Sequence, residues 1–120
     1  MVTVQGIGGF FFRAKDPAAL ADWYETHFGI LRVPADYDSP VWRQNAGPTV
    51  FAPFPEDSEY FGTPENQWML NLRVDDLDAA IGALTAAGIP VDPDPNPYPN
   101  GRFAHVTDPE GNRIELWEPL

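Results

Sequence analysis

The sequence predicts an α+β domain in which two βαβββ units form a curved mixed sheet around a cleft, with the helices outside. Three observations carry this. Two helical stretches are each preceded by aspartate and ended by glycine: Asp16 before Leu20, Trp23, Tyr24 and Phe28, closed by Gly29, and Asp76 before Leu77, Ile81 and Leu84, closed by Gly88. Around them lie short segments that alternate apolar and polar residues, the pattern of half-buried strands. The landmarks also recur in the same order. Asp16 aligns with Asp76, Gly29 with Gly88, Gly47 with Gly111, Val50 with Ile114 and Pro55 with Pro119, each at an offset of about 60 residues. Neither half alone covers its sheet, so the two must share one core.

The elements follow in order. Ile7 to Ala14 alternates, with Phe10, Phe12 and Ala14 on one face and Gly9, Phe11 and Arg13 on the other. Pro17 at the first helical position suits the helix capped by Asp16. Ile30 to Pro34, Val41 to Gln44 and Thr49 to Phe54 read as strands, with Ala46-Gly47-Pro48 as a turn. The first unit is residues 1–56, the second 67–120, and the polar stretch 57–66 between them is a linker. In the second unit Met69 to Val74, Ile89 to Val91, Phe103 to Thr107 and Arg113 to Trp117 read as strands, with a proline-rich loop from Asp92 to Gly101. Asp108-Pro109-Glu110-Gly111 is a turn whose residues each have a role: an Asx side chain for local bonding, a fixed φ, and a glycine free to turn left-handed.

Composition limits the function. The 120 residues carry 18 acidic and 7 basic side chains, a net charge of -11, with no cysteine. Such a charge repels nucleic acid and anionic membranes. The missing thiols exclude cysteine nucleophiles, disulfides and thiolate metal sites, and fit a cytoplasmic protein. No stretch reads as a signal peptide or a membrane span.

Phe12-Arg13-Ala14-Lys15-Asp16-Pro17, Trp23-Tyr24 through Gly29-Ile30, Arg73-Val74-Asp75-Asp76-Leu77-Asp78, Ala87-Gly88-Ile89 and Asp108 through Leu116 together resemble the vicinal oxygen chelate superfamily. That superfamily includes glyoxalase I, extradiol dioxygenases and bleomycin-binding proteins. The resemblance implies a homodimer, with clefts completed across subunits, and in the enzymes a divalent metal held from the first and last strands of each unit. Carried over by position, the four ligand places fall on Gly9, Phe51, Met69 and Glu115. Glycine and phenylalanine have no donor, and a thioether is too soft for a hard divalent ion. The expectation is therefore no cofactor. The alternative is Zn, Ni, Mn or Fe held by Glu115 and His105 with help from Asn71.

Read from the residues, Glu115 is the central candidate. Ile114 and Leu116 alternate with Arg113, Glu115 and Trp117, so the carboxylate opposes the apolar face. A three-residue loop Pro109-Glu110-Gly111 pairs Asp108 with Asn112 and sets His105 across from Glu115; a two-residue loop would place Ala104 there. Burial favours the neutral acid and a protonated His105 the ionised one. Such a pair serves as an acid or base, or as a plain cross-strand contact. Asn71 and Arg73 fall on the same inner face, Arg13 on its counterpart in the first unit, and Tyr98 and Arg102 on a loop at the rim. Tyr60-Phe61 either folds over the cleft or packs at a subunit interface. His27, at a helix C-terminus, and Glu110, at a turn tip, read as structural and as solvated respectively.

The leading expectation is a binding protein for a small organic molecule. Phe11, Phe51, Met69 and Trp117 form the apolar wall, and Glu115, His105, Asn71 and Arg73 orient the ligand, with Arg13, Tyr98 and Arg102 in reach. The alternative is a lyase, isomerase or dioxygenase of glyoxalase I type using Glu115 with or without a metal. A third reading is a dimerising partner domain.

Overall fold

A computed structural model describes residues 1–120. Helix α1 spans Pro17–Phe28. Asp16 caps it by accepting from Ala19 N at 3.1 Å, and Gly29 closes it at φ 67°, where a Cβ would be strained. Strand β1, Leu70–Arg73, leads to helix α2, Leu77–Ala86, capped by Asp76 through Ala79 N at 3.0 Å. Glu118 adds a second acceptor at this end, taking Leu77 N at 2.8 Å. Two further strands form a hairpin, β3 (Gly101–Thr107) and β4 (Arg113–Pro119), and β2 is the two-residue edge Asp92–Pro93.

The sheet runs β1-β4-β3-β2. β4 pairs parallel with β1 and antiparallel with β3, so the sheet is mixed. Its two faces differ sharply, because side chains alternate along each strand. Ala104, Val106, Ile114 and Leu116 point to the helices and join Leu20, Tyr24, Leu77 and Leu84 in one buried cluster. Burying each large aliphatic side chain there stabilises by roughly 1.5–3 kcal/mol. Because Leu20 and Tyr24 come from α1, the first half of the chain is part of the core of the second.

The second unit takes the expected βαβββ order, with its short strand displaced from Ile89–Val91 to Asp92–Pro93. The first unit differs. Ile7 to Ala14, Ile30 to Pro34, Val41 to Gln44 and Thr49 to Phe54 form no ladder. Alternation gives a segment its two faces, but a strand also needs a neighbour's backbone to satisfy its N–H and C=O groups. The chain brings no second strand to these segments. The first of them is held by side chains instead: Phe10 and Phe12 pack on Trp68, with ring centroids 4.9 and 5.0 Å away. Phe11, on the opposite face, is 94% exposed, and Phe51 is 87% exposed. The radius of gyration, 15.3 Å, exceeds the roughly 13–14 Å of a compact domain of this length for the same reason.

Candidate functional site

The closing hairpin builds the site. Asp108 N donates to Asn112 O at 2.9 Å, and Gly111 lies at φ 84°. This is the three-residue loop, so His105 faces Glu115 in the ladder. The parallel pairing on the other side of β4 brings Asn71 opposite Glu115 as well. Register alone thus places three polar side chains in a row across the sheet, on the face away from the helices.

Their hydrogen bonds converge on one carboxylate. His105 Nε2 lies 3.0 Å from Glu115 Oε2, and Asn71 Nδ2 donates to Oε1 at 2.7 Å. The hydroxyl of Tyr60, from the linker, also donates to Oε2. His105 and Glu115 are both buried. Burial pushes the Glu115 carboxyl up, but the bonds from His105, Tyr60 and Asn71 outweigh it and hold the group below its ordinary value. An ionised carboxylate only accepts, so His105 presents an N–H at Nε2. The Tyr60 hydroxyl is pushed above its ordinary range by burial and by its bond to Glu115.

Aromatic rings frame this group. Phe103 and Trp117 lie parallel at 6.1 Å on β3 and β4, next to the His105–Glu115 pair. Tyr60 stacks on Phe54 at 5.9 Å and meets His105 edge-on at 5.2 Å. Tyr60 was expected only as a lid or an interface residue. Its role as a donor to Glu115 has no local sequence signal, since 55 residues separate the two. Phe103 also escaped the sequence reading, although it follows from the register once Trp117 is placed.

Other expected site residues lie elsewhere. Arg73 shares the inner face, but its Nη2 donates to Asn45 O at 2.8 Å, and its guanidinium fills the space beside Gly47. Arg102 turns to α2 in a bidentate pair with Asp78 at 2.8 and 3.2 Å. Tyr98 donates to Asp94 at 2.9 Å and packs on Phe103 at 5.8 Å, which leaves it at the rim. Arg13, Phe11 and Phe51 are exposed, and Met69 is half-buried just before β1. Gly9 has only the Phe11 ring near its would-be Cβ. Gly9 and Phe51 are exposed on segments that form no ladder with the sheet, so they do not enclose Glu115 as the expected cleft required. Glu110 is not merely solvated: it accepts from Lys15 N at 2.6 Å and Asp16 N at 3.0 Å, tying the hairpin turn to the start of α1. A surface hollow of about 430 Å³ lies at that junction, away from the carboxylate. Another, of about 360 Å³, reaches the site's edge at His105 and Arg113.

The sequence profile of the Glyoxalase/Bleomycin resistance protein/Dioxygenase superfamily matches residues 6–116. The chain belongs to this superfamily. Solved structures share its fold. The antibiotic binding protein TnmS3 from Streptomyces sp. CB03234 is 27% identical, with TM-score 0.65 over 100% of both chains. A superfamily member from Sphaerobacter thermophilus DSM 20745 is 22% identical, with TM-score 0.56 over 88% of this chain and 90% of its own. The lactoylglutathione lyase from Agrobacterium tumefaciens is 21% identical, with TM-score 0.51 over 88% and 87%. None of the curated proteins matches the chain. No group of three His, Cys, Asp or Glu side chains that could hold a metal ion is gathered in the structure. The Glu115 carboxylate accepts from three neighbours.

Proposed function

We propose that this superfamily member binds a small organic molecule on the inner face of the sheet, using Glu115 as the acceptor that orients it. The observation that carries the reading is a buried, ionised carboxylate held by His105, Asn71 and Tyr60 and bordered by Phe103 and Trp117. Ligand sites combine a few placed polar groups with apolar and aromatic walls. The likeness to TnmS3 over the full length supports binding rather than turnover. The same inference includes a homodimer. Phe11, Phe51, Val50 and Val33 present apolar side chains at 68–94% exposure on segments without ladder partners. A second copy covers them and supplies the wall that one chain leaves open.

A thermal-shift screen of neutral aromatic and polycyclic compounds tests the reading. Compounds that raise the melting temperature of the wild type should lose that effect in Glu115→Gln. Shifts that survive both Glu115→Gln and His105→Ala would overturn the assignment.

The His105–Glu115 pair favours a second reading, a lyase or isomerase in which Glu115 takes a proton. Its ionised state and its N–H neighbour suit a general base. Turnover that vanishes in Glu115→Gln while binding is retained would establish it.

A further inference from the structure

The Tyr60 side chain sits in a site that is already complete for a phenol. Its hydroxyl donates to Glu115, one ring face stacks on Phe54 with 18° between the planes, and the ring meets His105 edge-on at 86°. The guanidinium carbon of Arg113 stands 5.9 Å from the ring centroid. Glu115, His105 and Arg113 come from the closing hairpin, with Glu115 and His105 both under 8% exposed, while the stacking wall Phe54 lies six residues before Tyr60 on the same stretch of chain. Tyr60 itself is 39% exposed and comes from a segment with few ties to the sheet. Ser58 N to Pro55 O at 3.0 Å and Tyr60 N to Ser58 Oγ at 3.2 Å are local bonds. Asn66 Nδ2 reaches Gly111 O at 3.3 Å. A well-built receptor thus holds a loosely tethered occupant.

We propose that this site takes phenolic ligands in place of the Tyr60 side chain, which stands in for them in the free protein. The inference rests on the reading of the Glu115 face as the ligand site. The charges around the ring select the chemistry. Ionised Glu115 disfavours an anionic ligand, and Arg113 over the ring disfavours a cationic one. A neutral planar ring with one O–H satisfies the acceptor and both walls. Binding then swings Tyr60 outward and leaves the His105–Glu115 pair in place.

The test uses the full chain with Tyr60→Ala, titrated with p-cresol, the side chain of tyrosine cut at its Cβ bond, and followed by calorimetry. The tethered phenol competes in the wild type at a high local concentration. Tyr60→Ala should therefore bind p-cresol at least tenfold more tightly than the wild type, and Tyr60→Ala/Glu115→Gln should lose that gain. The methyl ether 4-methylanisole should not bind. Equal binding of p-cresol and its ether, or no gain over the wild type, would overturn the proposal. Should Tyr60→Ala fail to fold, Tyr60→Phe with 2-naphthol serves instead: it keeps the ring, removes the competing donor, and should gain affinity for the naphthol over the wild type. The two readings fail differently. A non-phenolic compound whose thermal shift requires Glu115, together with no p-cresol gain, overturns the phenol inference alone. The absence of any Glu115-dependent shift overturns the site itself.

Discussion

The hydroxyl of Tyr24 donates to Asp108 Oδ2 at 2.6 Å, joining the helix of the first unit to the hairpin turn of the second. Asp108 also accepts from Glu110 N, Asn112 N and Asn112 Nδ2, so one buried carboxylate shapes the turn and anchors α1. Removing the Tyr24 hydroxyl in Tyr24→Phe deletes one bond to a charged acceptor and should cost about 1.5–3 kcal/mol. Asp108→Ala strips four donors of their acceptor and should cost more, about 3 kcal/mol or above. Urea unfolding of both variants measures the order.

The same contact predicts alkaline sensitivity. Burial, then the bond and charge of Asp108, raise the Tyr24 pKa well above its ordinary 10.0. The folded state therefore keeps this proton while the unfolded chain releases it. Its stabilisation is complete below pH 10 and declines as pH rises toward the folded value. Tyr24→Phe should flatten the fall in urea midpoint between pH 9 and pH 11 relative to the wild type.

Glu115 acts in the opposite direction. Its folded pKa lies below the ordinary 4.5, so its contribution is present in full above that value and is lost as pH falls through the folded one. The wild type should lose more stability than Glu115→Gln between pH 6 and pH 3. A larger acid loss in the variant would contradict the ionised, hydrogen-bonded carboxylate.

Two glycine substitutions should have opposite effects. A Cβ on Gly101, at φ 137°, would stand 2.3 Å from Glu118 O and 2.7 Å from Trp117 Nε1, both in the sheet. Gly101→Ala should therefore destabilise by several kcal/mol, on the order of 2–4, by forcing β3 and β4 apart. Gly82 lies exposed inside α2 with no atom near its would-be Cβ. Gly82→Ala should stabilise by about 0.5–1 kcal/mol. Thermal melts of the two variants give the signs.

The proposed homodimer predicts a mass. Sedimentation equilibrium at micromolar concentration should give twice the 13.3 kDa of one chain. Phe11→Asp with Phe51→Asp, at exposed positions outside the buried core, should shift that mass toward the monomer while the helical circular dichroism persists.

Local chemistry made part of the molecule legible in advance. Asp16, Asp76, Gly29 and Gly88 mark helix ends through bonds made within a few residues. The Asp108 to Asn112 turn specifies its own loop length, and loop length specifies that His105 faces Glu115. Those short-range rules were enough to place the pair at the centre of the candidate site. The first-unit strands were not legible in the same way. Their alternation is genuine, as Phe10 and Phe12 against exposed Phe11 shows, but a ladder depends on a partner far along the chain or outside it.

By itself, then, the order of residues determined the caps, the closing hairpin with His105 opposite Glu115, and the superfamily. The caps and the hairpin register depend on contacts a few bonds or one tight turn apart, whereas Asn71 and Glu115, 44 residues apart, meet through the parallel pairing of β1 with β4. Only the tertiary structure decided that Tyr60 reaches Glu115 across 55 residues, that Arg73 and Arg102 bind other partners, and that Glu110 holds α1. Such contacts arise where a long flexible side chain or a turn-rich segment has several partners within reach, and the packed sheet selects among them.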